Sequence, residues 1–208
     1  MSERSDCPAA EFWSTLFGRR APVEIEIGSG DGAFLLAYAA RHPERSFLGI
    51  ERSPSKSRRL EARLARARLP NVRVLRADAT CVVPALVPAA SVATYHVYFP
   101  DPWPKRGHAF RRIFNAPFIT TLARTLAAGG RVFLATDVHD YAAEIRSSML
   151  DHGAFTERAD DAEHPGFQTS FGRKYRAAGR PLYATTFARV DAGRRMAQPA
   201  AASKIRSM

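Results

Sequence analysis

Short apolar runs alternate along this chain with longer segments of helical period. Val23 to Ile27 is a β run bounded by Pro22 and Gly28. Gly32 to Arg41 carries Phe34, Leu35, Tyr38 and Ala39 at helical spacing. Ser46 to Glu51 is a second strand. Ser53 then stands as an N-cap with Pro54 in the first turn, opening a helix to about Leu69. Val72 to Arg76 and Val92 to Phe99 give a third and a fourth strand. A helix over about Ala116 to Leu126, closed by Gly129, leads to a fifth strand at Arg131 to Ala135. Another helix reaches about Leu150, and Phe155 to Arg158 and Leu182 to Arg189 are late strands, which suggest a terminal hairpin.

Strands alternating with helices predict an α/β fold, a doubly wound and mostly parallel sheet of seven strands covered on both faces. The expected organisation is an N-terminal extension over 1–20, one domain over 21–190 and a basic flexible tail over 191–208. The extension contains Phe12, Trp13, Leu16 and Phe17, enough for a short helix packed on the domain. In such a sheet ligands bind beyond the carboxyl ends of the strands, so the chemistry is sought there.

Composition changes the picture in one respect. Hydrophobic content of 46% and charged content of 25% are ordinary for a folded domain. The charge is not: 31 Lys and Arg against 20 acids leave +11, which draws a protein toward polyanions. Cys7 and Cys81 make neither a disulfide framework nor a zinc site, and the six histidines lack ligand spacing, so no metal is expected. No apolar run reaches membrane length and the N-terminus has no signal-peptide core, so a cytoplasmic protein without a membrane partner is expected. A monomer is the working expectation, since nothing in the pattern fixes an oligomer.

The first strand runs into Glu26-Ile27-Gly28-Ser29-Gly30-Asp31-Gly32. Glycines here allow a sharp turn and close approach to a ligand, with a tight strand-to-helix turn alone as the lesser alternative. Glu51 ends the second strand, where a carboxylate can accept both hydroxyls of a ribose. Asp78 follows the third, with Ala79 after it, where an acid can accept an adenine amine. One acid at a strand end is commonplace; three at successive strand ends argue for a nucleoside. A nicotinamide dinucleotide and S-adenosylmethionine both fit. The dinucleotide's pyrophosphate would be repelled by Glu26 and Asp31, whereas the cationic S-adenosylmethionine is complemented by them. An unpartnered Glu26 in a buried strand would also be costly.

The fourth strand ends in Phe99-Pro100-Asp101-Pro102-Trp103-Pro104-Lys105-Arg106. Three prolines stiffen the backbone around Asp101 and hold its carboxylate in one place. Lys105, Arg106, His108, Arg111 and Arg112 interleave with Trp103 and Phe110, a mix of cations and aromatic planes suited to looped RNA. The Lys56, Arg58, Arg59, Arg63, Arg66 and Arg68 set on the helix from Ser53 to Leu69 reads as a solvated face. Asp137 closes the fifth strand, where capping of the next helix is an alternative role.

Taken in order, Glu26-Ile27-Gly28-Ser29-Gly30, Gly49-Ile50-Glu51, Asp78-Ala79, Phe99 to Lys105, Arg111-Arg112-Ile113 and Thr136-Asp137 resemble the bacterial tRNA (guanine-N7)-methyltransferases. The resemblance spans roughly Val23 to Arg189, and Phe-Pro-Asp-Pro-Trp is its most specific part. It implies a Rossmann-like methyltransferase domain using S-adenosylmethionine and acting on tRNA. Glu26, Gly28, Gly30, Glu51, Asp78, Ala79 and Asp101 would line the cofactor pocket, with Asp101 catalytic. Lys105, Arg112, Asp137 and Thr169 would serve the substrate. The family's late Thr-x-Phe-Glu reads Thr169-Ser170-Phe171-Gly172 here, so glycine stands in place of its glutamate. A methyltransferase of this fold with another substrate and an inactive RNA-binding module are the alternatives, separated by RNA-dependent turnover and by binding without turnover.

Overall fold

The computed structural model describes residues 8–158 and 164–190. The basic tail expected from residue 191 lies outside them. Seven strands form one sheet: β1 (Val23–Ile27), β2 (Ser46–Ile50), β3 (Val72–Leu75), β4 (Val92–Tyr98), β5 (Leu126–Thr136), β6 (Phe155–Arg158) and β7 (Tyr183–Arg189). Their order is β3-β2-β1-β4-β5-β7-β6. β1 through β5 pair in parallel, and β7 runs antiparallel to both β5 and β6. This is the mostly parallel seven-stranded sheet read from the sequence.

The helices are α1 (Pro8–Phe17), α2 (Ala33–Arg41), α3 (Pro54–Ala67), α4 (Ala79–Leu86), α5 (Ala116–Thr125), α6 (His139–Asp151) and α7 (Ser170–Ala177). Alternation along β1 divides the molecule. Val23, Ile25 and Ile27 enter a large core with Tyr95, Val97, Leu122, Leu134 and Ile145, into which α1 sends Trp13 and Phe17. Phe47 of β2 packs on Leu35, Ala39 and Leu60 from α2 and α3. Two buried layers on one sheet make it doubly wound, and the strand order reverses between β1 and β4, where a crevice opens at their carboxyl ends.

Several local readings are corrected. Helix α5 stops at Thr125, and Gly129, expected to close it, lies inside β5 with φ 68°. The β4–β5 register is interrupted between Val92 and Thr94, so β5 starts early and is bulged. Ser53 occupies the N-cap of α3, but its hydroxyl meets Ser55 at 3.2 Å rather than a helical N–H. Asp137 does not cap α6, whose N-cap residue is Val138. The late strands are not a simple hairpin: a 3-10 turn (Pro165–Gln168) and α7 lie between them in the chain.

That turn and α7 are locked by one hydroxyl. Thr169 Oγ donates to the Gly166 carbonyl at 2.9 Å and accepts the Gly172 N–H at 2.8 Å. The backbones approach so closely that a Cβ on Gly172 would lie 2.4 Å from the Gly166 oxygen and 2.9 Å from Phe167 Cα. The position where the family carries glutamate is therefore held here to glycine by packing. Gly172→Ala is expected to lower unfolding free energy by about 1–3 kcal/mol, the usual cost of overpacking. Urea denaturation checks this, and unchanged stability would show that the turn and helix part freely.

Candidate functional site at the carboxyl ends of the strands

The turn after β1 contains Gly28, Gly30 and Gly32, with φ of 76°, 59° and 77°. Left-handed backbone at three alternate residues is a glycine requirement. It folds the chain back so that Gly28 N–H bonds the Ile50 carbonyl at 2.8 Å. Glu51 completes the link: one carboxylate oxygen accepts Gly30 N–H at 2.8 Å and the other accepts Ser53 N–H at 2.7 Å. Its side chain is buried. Each oxygen retains acceptor capacity, since an ionised carboxylate offers about four lone-pair positions.

Glu26 sits beside this turn, 5% exposed, and its Oε2 has no hydrogen-bond partner among the described residues. Burial pushes its carboxyl up to about 8, and the charges of Glu51 and Asp31 push the same way against a smaller lowering by Ser29. Glu24, two residues earlier on the same face, behaves oppositely. Burial alone would raise it, but His96 and Arg45 outweigh burial and hold it below the ordinary range. His96 Nε2 is 2.7 Å from Glu24 and His96 Nδ1 is 2.6 Å from the Tyr98 hydroxyl, while Arg45 closes the chain on the other Glu24 oxygen. Glu24 is satisfied by the protein; Glu26 faces the crevice end of the strand without a counter-ion.

Asp78 is the N-cap of α4, a helix not read from the sequence. Its Oδ1 accepts Thr80 N–H at 2.9 Å and the Thr80 hydroxyl at 2.6 Å, and Ala79 starts the helix. Asp31 is engaged by Arg63 at 2.9 Å, so its charge is partly offset.

The loop from Phe99 to Lys105 is strained and braced. Phe99 and Trp103 have φ of 52° and 41°, uncommon for residues with large side chains. Phe99 N–H is held by the Ala135 carbonyl at 2.7 Å, and Arg112 braces the far end of the loop: Nε donates to the Pro102 carbonyl at 2.8 Å, Nη2 to the Trp103 carbonyl at 3.2 Å, and Nη1 pairs with Glu144. Expected on the substrate side, Arg112 is thus committed to the loop's own backbone, as Thr169 is to its turn. Asp101 remains exposed, 3.3 Å from Arg52. Lys105 is also exposed, and Arg111 lies over the Trp103 ring at 4.9 Å. Asp137, at the end of β5, pairs with Arg180 at 3.4 Å.

The structure therefore gathers Glu26, the glycine turn and Glu51 at the heads of β1 and β2, with Asp101 reaching Arg52 beside them. Arg52, Arg180 and the Glu24–His96–Tyr98 line were not anticipated. Arg52 had a signal, since it follows a strand-end acid; the buried line joins residues 72 positions apart and had none. A cavity of about 530 Å³ lies elsewhere, between the segment Arg106–Arg111, α5 and α6, and none of the strand-end acids lines it. Among the described residues no helix is long and apolar enough to cross a membrane, and no cluster of His, Cys, Asp and Glu is suited to a metal.

Sheet order, glycine turn and strand-end acids define a protein of the Rossmann-like methyltransferase type. A solved structure described as a 16S rRNA methyltransferase, KamB, has this fold, with TM-score 0.64, 20% identity and coverage of 91% of this chain and 96% of that one. The chain belongs to the bacterial tRNA (guanine-N7)-methyltransferase family, and the family model described as "Putative methyltransferase" matches residues 20–185. The tRNA (guanine-N(7)-)-methyltransferase of Sodalis glossinidius is 41% identical over 151 residues, 73% of this chain and 63% of that protein. The one from Myxococcus xanthus is 35% identical over 175 residues, 82% of this chain and 85% of that protein. The first three relatives matched are longer, and the chain spans 58–65% of their length.

The Glu26 carboxyl gives a pH signature. Its folded value near 8 exceeds the ordinary 4.5, so the unfolded chain loses this proton first. Wild-type stability should then fall by roughly 1–2 kcal/mol per pH unit between about 4.5 and 8 through this group, and level off above. Glu26→Gln removes the effect, so its stability advantage should widen as pH rises from 5 to 8. Urea titrations across that range test this; a constant difference would show that Glu26 is not buried as described.

Proposed function

We propose that this protein transfers the methyl group of S-adenosylmethionine to N7 of a guanosine in tRNA, in the variable loop as the resemblance implies. The observation that carries the reading is the unpartnered buried carboxylate oxygen of Glu26 beside the glycine turn. A cationic amino group placed there would favour the ionised form of Glu26 and pair with it, whereas the pyrophosphate of a dinucleotide would gain no such partner. Gly28 and Gly30 leave room for close approach, Glu51 would take the ribose hydroxyls, and Asp78 with Ala79 would flank the adenine. Asp78 keeps an oxygen for this, because only Oδ1 is used in the cap.

S-adenosylmethionine supplies a methyl group activated on a sulfonium. Guanine N7 presents a lone pair and no proton, so no residue of this chain need act as a base at the attack. The residues' task is alignment. Asp101 and Asp137 stand at the ends of adjacent strands and can accept the guanine N1–H and exocyclic amine while offsetting the positive charge that develops on the purine. Their partners Arg52 and Arg180 are exposed, and such pairs are worth only about 0–1 kcal/mol, so exchange for substrate costs little. Lys105 would meet RNA phosphate. Arg112 and Thr169 take positioning roles, one fixing the Asp101 loop and the other the start of α7.

Labelled S-adenosylmethionine with unmodified tRNA should yield 7-methylguanosine on nucleoside analysis; cofactor binding without labelled RNA would point to another substrate. Asp101→Ala, folded and saturated with cofactor, is expected to lose turnover by about a hundredfold or more. Normal turnover by that variant would remove Asp101 from the chemistry.

A further inference from the structure

Helix α3 and its C-cap carry six cations between Lys56 and Arg68 against one acid. Along the chain this set reads as a solvated face, but the fold arranges four of its members. Lys56, Arg59, Arg63 and Arg66 are exposed within one stripe of the helix surface, while Ser57, Leu60 and Leu64 turn inward. A solvated helix gains from opposite charges three or four residues apart; here like charges follow one another at those spacings. Lys56 stands in a first turn that holds no acid, so the positive end of the helix dipole meets a cation. The one acid, Glu61, accepts the Ser57 hydroxyl at 3.0 Å. Lys56, Arg59 and Arg66 pair with no acid among the described residues. Such consistent breaking of local charge rules marks a surface with a task beyond its own stability.

The stripe borders the crevice. Arg63 donates to the Asp31 carboxylate at 2.9 Å and to the Asp31 carbonyl at 3.1 Å, which sets this side of α3 against the glycine turn. Arg52, one residue before the N-cap, continues the line to Asp101 at 3.3 Å. Helix α3 leaves the carboxyl end of β2, the basic segment after Lys105 leaves that of β4, and β1 lies between those strands. The crevice mouth therefore has a cationic wall on its β2 side as well.

Chemistry names the occupant. No exposed position of α3 holds a large apolar or aromatic side chain, which a membrane-lying helix or a protein interface would need. Three of the four cations are arginines, whose forked guanidinium matches phosphate oxygens. From Lys56 to Arg66 the stripe runs about 15 Å, too long for one phosphate and suited to a chain of them.

We propose that Lys56, Arg59, Arg63 and Arg66 form a phosphate track that holds the RNA backbone beyond the target nucleotide, gripping the substrate from the β2 side. This rests on the RNA-methyltransferase reading above. Arg52, released when Asp101 takes the base, is the first cation of the track.

The test uses the full chain, an unmodified tRNA transcript and S-adenosylmethionine. Lys56→Gln, Arg59→Gln and Arg66→Gln combined should raise the tRNA Kd and KM at least about tenfold at about 0.1 M salt, and make log Kd against log salt less steep by about two to three. The same variant should keep kcat within about twofold, because the track touches no reacting atom. Its urea midpoint should equal or exceed that of wild type, since like-charge repulsion is relieved. Arg131→Gln, which removes an exposed charge well before the carboxyl end of β5, should leave the salt slope unchanged. A triple variant with the wild-type slope would overturn the proposal, and so would an equal loss per charge in Arg131→Gln, which would show that only net charge is felt. Unaltered tRNA affinity with lost binding to vesicles of anionic phospholipid would also overturn it, and assign the stripe to a membrane surface. Wild-type methyl transfer with an unaffected triple variant refutes the track alone; a wild-type chain that binds no tRNA refutes the functional reading with it.

Discussion

The two oxygens of Glu51 fix the distance on which this site depends. One holds the glycine turn after β1 and the other holds the entry to α3. The ladder holds the two strands together as far as Ile27 and Ile50, and Glu51 extends the tie beyond it into the loops. Glu51 accepts main-chain N–H groups, which cannot rotate away as side chains do. The left-handed glycines, the seating of Ser29 against Gly49 and the position of Arg52 next to Asp101 all follow from that clamp.

Glu24 and Glu26 illustrate how one strand face can serve two ends. Both are buried on the side opposite the large core. Glu24 receives a histidine and an arginine, and its charge becomes part of a continuous line from β1 through His96 to Tyr98. That line anchors the residue immediately before the Asp101 loop. Glu26 receives no cation from the protein and carries its proton instead. The fold thus spends its internal counter-ions at the bottom of the strand and leaves the top uncompensated.

Much of this was legible from the chain. The apolar runs of β1 to β4 and the glycines, acids and prolines that follow them located the crevice, because strand ends in such sheets are marked by abrupt changes in residue type. Helix α4 was missed because it is short, contains Pro84, and begins at Asp78, whose ligand reading hid its capping role. Helix α7 was missed because its sequence is mostly cationic, with Phe171 and Tyr175 its only large rings. Gly129 misled because a glycine after an apolar helix usually ends it, whereas a bulged strand uses the same backbone freedom. The commitments of Arg112 and Thr169 to backbone carbonyls arise from contacts that no local pattern encodes.

The placement of β7 between β5 and β6 has an evolutionary corollary. The segment bearing the turn at Pro165–Gln168 and α7 leaves from an edge strand and returns through an interior one. Its two ends are pinned by antiparallel ladders, and between them it touches the sheet at the carboxyl end of β4, through Tyr98 and Phe99. Sequence drift there can remodel the segment as an exchangeable cassette, while the ladders on either side keep its two ends in place.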